Sequence, residues 1–239
     1  MDFERIRNFI LSYTSDSGGV LYNIRKKAEE DGVPIIRRDT EEFLKVILKM
    51  TEPYELLEIG TAVGYSSIFF CDVLSGGYQI INQTDDDNID KGMCINDEIT
   101  KWHIDTCELD KDRILAARDN ISKAGYDDII AIHEGDAIDT LTALIEQKKV
   151  YDFIFIDAAK AQYMNYIELS LKLSHKGTVI VTDNIFGDGD ILESHYLVEK
   201  RDRTIHDRMR EYIYHITHTE KLDTSIIPVG DGIALSIFK

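Results

Sequence analysis

The chain has 239 residues, 44% of them hydrophobic, enough for one sizeable core, and we expect a single domain spanning 1–239. A formal net charge of −17 disfavours non-specific binding to nucleic acid or anionic membrane, although a local basic patch can survive on an acidic protein. Cys71, Cys94 and Cys107 lack metal-site or redox spacing, the start is not signal-like, and no apolar run approaches about 18 residues; a cytoplasmic enzyme with reduced thiols and no membrane partner is the expectation.

Residues 2–30 read as two polar amphipathic helices broken at Ser15-Asp16-Ser17-Gly18-Gly19. A further helix begins near Thr40, with Phe43, Leu44, Ile47 and Leu48 at helical spacing, completing a helical cap over 1–50. Strands near 55–59, 103–108, 129–133, 151–156 and 178–182 then alternate with helices near 64–74, 110–124, 136–148 and 161–174. That alternation predicts an α/β, Rossmann-like fold with a mostly parallel sheet and helices on both faces. After a helix near 201–219, two runs at 225–229 and 233–238 flank Gly230-Asp231-Gly232. So short a turn requires antiparallel pairing, which makes a seven-stranded sheet with an antiparallel C-terminal strand.

An acidic insertion at 76–102 interrupts the alternation, far longer than the roughly 2–6 residues usual between such elements. Asp86, Asn88 and Asp90 alternate there as in a calcium loop, but the glycine falls one residue late and Asp97 stands where a glutamate is wanted. A solvated acidic loop is the simpler reading.

Leu56 to Ser67 reads as a buried strand entering a glycine turn and a helix start, the shape of a nucleotide-type cofactor site. With only Gly60 and Gly64 it has neither a phosphate loop nor the third glycine of a dehydrogenase fingerprint. Glu58 beside it would repel a phosphate and suits a cation such as an amino-acid ammonium. Glu108, ending the next strand, is placed to accept bonds from ribose hydroxyls, with Asp110 as a competitor that could simply cap a helix. Asp136 and Ala137 follow the third strand and could contact an adenine edge, or Asp136 could be a cap. Asp157 ends one apolar strand, and Asp183 and Asn184 end another; at neighbouring carboxyl ends they form an oxygen set suited to Mg2+, Mn2+ or Ca2+. Turn-forming and capping are the alternative roles. His215 and His218 share a helix face, without carboxylates at matching spacing.

Three motifs, Leu57–Ser67, Phe155-Ile156-Asp157-Ala158-Ala159-Lys160 and Val181-Thr182-Asp183-Asn184, resemble those of the metal-dependent S-adenosylmethionine O-methyltransferases, the group holding catechol and caffeoyl-CoA methyltransferases. Within that group the chain looks most like the bacterial tRNA 5-hydroxyuridine methyltransferases, on the segments 33–38, 188–194, 201–206 and 227–232. The resemblance runs from about Val33 to the end, apart from the insertion. It implies that Ile36, Glu58, Gly60, Ser66, Glu108, Asp136, Ala137 and Asp157 hold S-adenosylmethionine, that Asp157, Asp183 and Asn184 hold Mg2+ (or Mn2+ or Ca2+), that Lys160 is the base, and that the protein is a homodimer.

A sulfonium methyl is already activated, so such an enzyme needs chiefly an oxyanion in line with it. A divalent ion lowers the pKa of a chelated hydroxyl, and Lys160, desolvated beside it, could take the proton. The acceptor could be 5-hydroxyuridine in tRNA or a small catechol-like phenol. Lys200, Arg201, Arg203, His206, Arg208 and Arg210, with Arg25-Lys26-Lys27, Arg37 and Arg38, are candidate phosphate contacts, diluted by Glu199, Asp202, Asp207 and Glu211. A non-catalytic cofactor-binding module is the alternative of another class; degraded ligands would mark it, and here the three are intact.

Overall fold

The computed structural model describes residues 3–14, 18–76 and 102–239. The candidate calcium loop, Cys94 and all of the expected insertion but its edge residues lie outside the described residues. Three helices come first, α1 (Phe3–Leu11), α2 (Gly19–Asp31) and α3 (Arg38–Thr51). The alternating core follows as β1 (Glu55–Ile59), α4 (Tyr65–Leu74), β2 (His103–Glu108), α5 (Lys111–Ala124), β3 (Ile130–Glu134), α6 (Ala137–Glu146), β4 (Tyr151–Ile156), α7 (Tyr163–Ser170) and β5 (Ser174–Thr182). Then come α8 (Arg203–His218), β6 (Leu222–Ile227) and β7 (Ile233–Phe238).

The seven strands order as β3-β2-β1-β4-β5-β7-β6. Neighbours from β3 to β5 are parallel, whereas β7 runs antiparallel to both β5 and β6. The expected mostly parallel sheet with an antiparallel ending is borne out. Central β1 and β4 bury both faces, which is why Leu56-Leu57 and Phe153-Ile154-Phe155-Ile156 read as continuous apolar runs. Phe153 and Phe155 pack edge-on against Phe70 of α4 at 5.9 and 5.4 Å, while Ile154 and Ile156 join the opposite cluster with Tyr163 and Tyr212. The chain leaves β1 toward β2 and leaves β4 toward β5, so the strand order reverses between β1 and β4 and a crevice opens at their carboxyl ends.

Three boundaries differ from expectation. β5 starts at Ser174, not near 178, because Ser174 pairs with Tyr151 across a register shift; exposed His175 and Lys176, and Gly177 at φ 95°, hide this in the sequence. The helix expected over 161–174 is a 3-10 turn at Lys160–Gln162 followed by the shorter α7. β6 begins at Leu222 and ends before Pro228, which has no N–H to donate to a ladder. Among the described residues no helix is long and apolar enough to cross a membrane.

Candidate active site

A cavity of about 880 Å3 opens at the carboxyl ends of β1, β2, β4 and β5. Its floor is the turn after β1. Gly60 has φ 107°, and a Cβ there would overlap the main-chain oxygen of Asp157, so residue 60 must lack a side chain for β1 and β4 to approach. Gly60 and Thr61 donate their N–H groups to the Cys107 carbonyl at 3.2 and 3.1 Å, and Gly64 at φ 80° starts α4. Ile36, Gly60, Ser66, Glu108, Asp136, Ala137, Asp157, Asp183 and Asn184 all border this cavity.

Glu58 sits differently from its expected place. It is fully buried and is not among the cavity-lining residues; its carboxylate accepts bonds from the Ser66, Ser67 and Thr106 hydroxyls. Burial pushes its pKa up to about 7 against the pull of those three hydroxyls. Ser66 borders the cavity, so Glu58 reaches it through the Ser66 hydroxyl.

Glu108 is fixed at the end of β2 by three backbone donors: Ala62 N at 2.8 Å, and Leu109 N and Asp110 N at 2.9 Å each. Such a carboxylate is held rigid for further acceptance of hydroxyls. Asp110 is a cap, accepting from Asp112 and Arg113 at the start of α5. Asp136 caps α6, accepting Ile138 N at 2.7 Å, and borders the cavity as well. Cys107 and Cys71 are buried free thiols, and burial pushes Cys107 up to about 12.

At the other end, Asp157 and Asp183 face one another. Burial raises both carboxyls above the usual range, and each is raised further by Asp231; Lys160 lowers Asp157 in part. Asp183 Oδ1 accepts Asn184 N at 2.7 Å, and Asn184 adopts φ 64°, a left-handed conformation uncommon outside glycine. Lys160 lies outside the main cavity wall, in an adjoining depression with Arg208 and Glu211, and its Nζ donates to Asn184 Oδ1 at 3.1 Å. Two carboxyl groups and an amide oxygen could hold a hard divalent cation, which would offset the carboxylates' mutual repulsion.

Two features of the site were not anticipated from the sequence. Asp231, read as part of a hairpin turn and of the 227–232 resemblance segment but given no role in the site, borders the cavity and pairs with Arg37 at 2.6 Å. The turn is anchored to the start of α3 by Gly230 N donating to Asp39 Oδ2 at 3.2 Å. Arg25, expected only as a candidate phosphate contact, donates to the Ile36 carbonyl at 3.1 Å, to Tyr65 OH at 3.0 Å and to Glu41, bracing the cap over the cavity. The glycine pair around Asp231 was the available signal; the Arg25 network had none, since its partners are scattered along the chain.

The proposed phosphate-contact residues are largely engaged within the molecule. Arg37 pairs with Asp231, Arg201 with Glu199 and Asp202, and Arg203, Arg208 and Arg210 donate to main-chain carbonyls. His215 lies 2.9 Å from Glu168 Oε1, and His218 stacks on Tyr214 at 3.9 Å, so the two do not form a shared site.

The sequence profile of the O-methyltransferase family matches residues 99–238. A catechol O-methyltransferase from Niastella koreensis is 28% identical over 245 residues, covering 99% of this chain and 98% of that protein. A caffeoyl-CoA O-methyltransferase from Citrus natsudaidai is 30% identical over 202 residues, covering 83% of this chain and 77% of that protein. Among solved structures, an O-methyltransferase from Bacillus cereus in complex with SAH superposes with a TM-score of 0.77 at 23% identity, over 98% of this chain and 97% of that one, which supports the fold. With the profile spanning more than half its length, the chain belongs to the O-methyltransferase family.

Proposed function

We propose that this protein transfers a methyl group from S-adenosylmethionine to the hydroxyl of a small catechol-like or phenolic acceptor, with a divalent cation held by Asp157, Asp183 and Asn184. The observation that carries the reading is the pairing, in one cavity, of a carboxylate fixed by three backbone N–H groups at Glu108 with two mutually repelling buried carboxyls at Asp157 and Asp183. The catechol and caffeoyl-CoA names of the similar proteins support the acceptor class. The cation, when bound, would supply the charge that lowers the pKa of an acceptor hydroxyl.

The chain's own residues do the rest. Glu108 accepts the cofactor's ribose hydroxyls, Asp136 and Ala137 meet its base, and Ser66, held by Glu58, meets its amino-acid end beside Ile36. Lys160, oriented by its bond to Asn184, takes the acceptor proton. Gly60 lets the cofactor lie close to the β1–β4 crevice, and fixing both reactants in one cavity supplies much of the acceleration.

A tRNA carrying 5-hydroxyuridine is the second acceptor reading, supported by the motif resemblance at 33–38, 188–194, 201–206 and 227–232. The engaged arginines and the −17 charge weigh against it. Homodimerisation and a single domain over 1–239 belong to the same proposal. The test is transfer from labelled S-adenosylmethionine, with and without EDTA, to catechol, caffeoyl-CoA and tRNA bearing 5-hydroxyuridine. EDTA-sensitive transfer to the phenols is expected. Transfer to tRNA alone would overturn the acceptor, and no EDTA effect would overturn the metal.

A further inference from the structure

We propose that His195, His206 and Asp207 form a second metal site, suited to Zn2+ or a similar transition ion and independent of the methyl-transfer reading. Among the described residues these three bring one ligand atom each to within 4.8 Å of one another. His195 Nδ1 lies 2.8 Å from Asp207 Oδ1, and His206 Nδ1 lies 3.1 Å from that same oxygen. His195 comes from the loop after β5, whereas His206 and Asp207 sit in the first turns of α8.

The His206 ring is only 2% exposed. Its Nε2 is 3.1 Å from the Glu193 carbonyl oxygen, and a carbonyl only accepts, so Nε2 carries the hydrogen. In the neutral ring Nδ1 is then a lone pair, and it faces a carboxylate oxygen. Two acceptors at 3.1 Å need a cation between them, either a proton or a metal ion. Asp207 and His195 are solvent-accessible, so an ion can enter, and the His195 nitrogen already converges on the same oxygen. An imidazole whose far N–H is held by a backbone carbonyl is the arrangement that orients metal-bound histidines. Two imidazoles and one carboxylate match Zn2+ with a position left for water, and imidazole nitrogen disfavours Mg2+.

The site would tie loop to helix. Arg210 donates to the same Glu193 carbonyl at 3.1 Å, and Arg203 donates to the Val198 and Tyr196 carbonyls at 3.1 and 3.4 Å, so the loop end is already drawn onto α8. That loop starts at Asn184 and passes Lys160 at Gly187, where a Cβ would come 2.9 Å from Lys160 Nζ. An ion at His195 therefore secures the far end of the segment that borders the candidate base.

The test is Zn2+ uptake by metal-stripped full-length protein in excess Mg2+, read by competition with a chromophoric chelator, with Co2+ absorption bands reporting coordination. Wild type should take up one ion that His195→Ala and Asp207→Asn, both surface changes, bind more weakly by at least the roughly 10–100-fold that loss of an outer hydrogen-bond partner costs. Asp183→Asn should leave that uptake intact, and Zn2+ should raise the Tm of wild type but not of the two surface variants. No uptake by wild type, equal uptake by either surface variant, or loss of uptake in Asp183→Asn would overturn the site.

Discussion

The main-chain oxygen of Asp157 occupies the space that a Cβ on Gly60 would need, so the end of β4 and the turn after β1 are in contact at backbone level. Gly60→Ala therefore combines a positive-φ penalty with overpacking. Together these should cost about 2–5 kcal/mol, lowering Tm by roughly 2–4 °C per kcal/mol, and should abolish cofactor binding. Calorimetry and cofactor titration check this; unchanged affinity would mean that the β1–β4 crevice does not hold the cofactor.

Asp183→Asn removes one of two facing carboxyls while an amide oxygen can still accept the Asn184 N–H. Without added metal, Tm should rise by a few degrees, about 1–3 kcal/mol, because a buried repulsion is relieved. The stabilisation that Mg2+ gives wild type should vanish along with turnover. Thermal melts with and without Mg2+ decide it: a variant still stabilised by Mg2+ would remove Asp183 from the metal site.

Lys160→Met should lower turnover by about 10²–10⁴ and leave cofactor affinity nearly unchanged, since Lys160 reaches the site only beside Asn184. Steady-state kinetics with the best phenolic acceptor, alongside cofactor titration, separates the two quantities. Full turnover would exclude Lys160 as the base.

Asp105 lies buried within β2, accepting from His133 at 2.6 Å and from Tyr151 OH at 2.7 Å, with His103 Nε2 at 3.3 Å. Burial would raise its carboxyl, but the hydrogen bonds from His103, His133 and Tyr151 outweigh it and hold it well below the usual range; the Asp105 bond in turn raises His103 above its ordinary 6.5. The Asp105 contribution is present above 3.8 and is lost only in strong acid. The His103 contribution is complete below 6.5 and is lost as pH rises through its raised folded value. Wild-type Tm should thus fall as pH rises above 6.5 by a component that Asp105→Asn removes, and that variant should lose about 1–3 kcal/mol at neutral pH. Melting curves across this range test it; an identical slope in the variant would assign the dependence elsewhere.

The Gly60 turn, the acids ending β2, β4 and β5, and the parallel core were legible along the chain because each is local. A doubly buried strand is an apolar run, and a strand-end acid must emerge at the sheet's carboxyl edge whatever packs around it. Capping by Asp110 and Asp136 was legible for the same reason, since a cap acts within three residues. Tertiary structure alone decided the rest. Glu58 is adjacent to the glycine turn in sequence yet bonds Ser66, Ser67 and Thr106, because alternation along β1 puts it on the face of the sheet that α4 covers. Asp231 joins Asp157 and Asp183 only once β7 inserts between β5 and β6, and the early start of β5 depends on Tyr151 across the ladder. Likewise His195 meets His206 and Asp207 only where the loop folds back on α8. Local pattern specifies which backbone each residue joins, but a side chain's charge state and partners are set by what the long-range packing brings within a few ångströms.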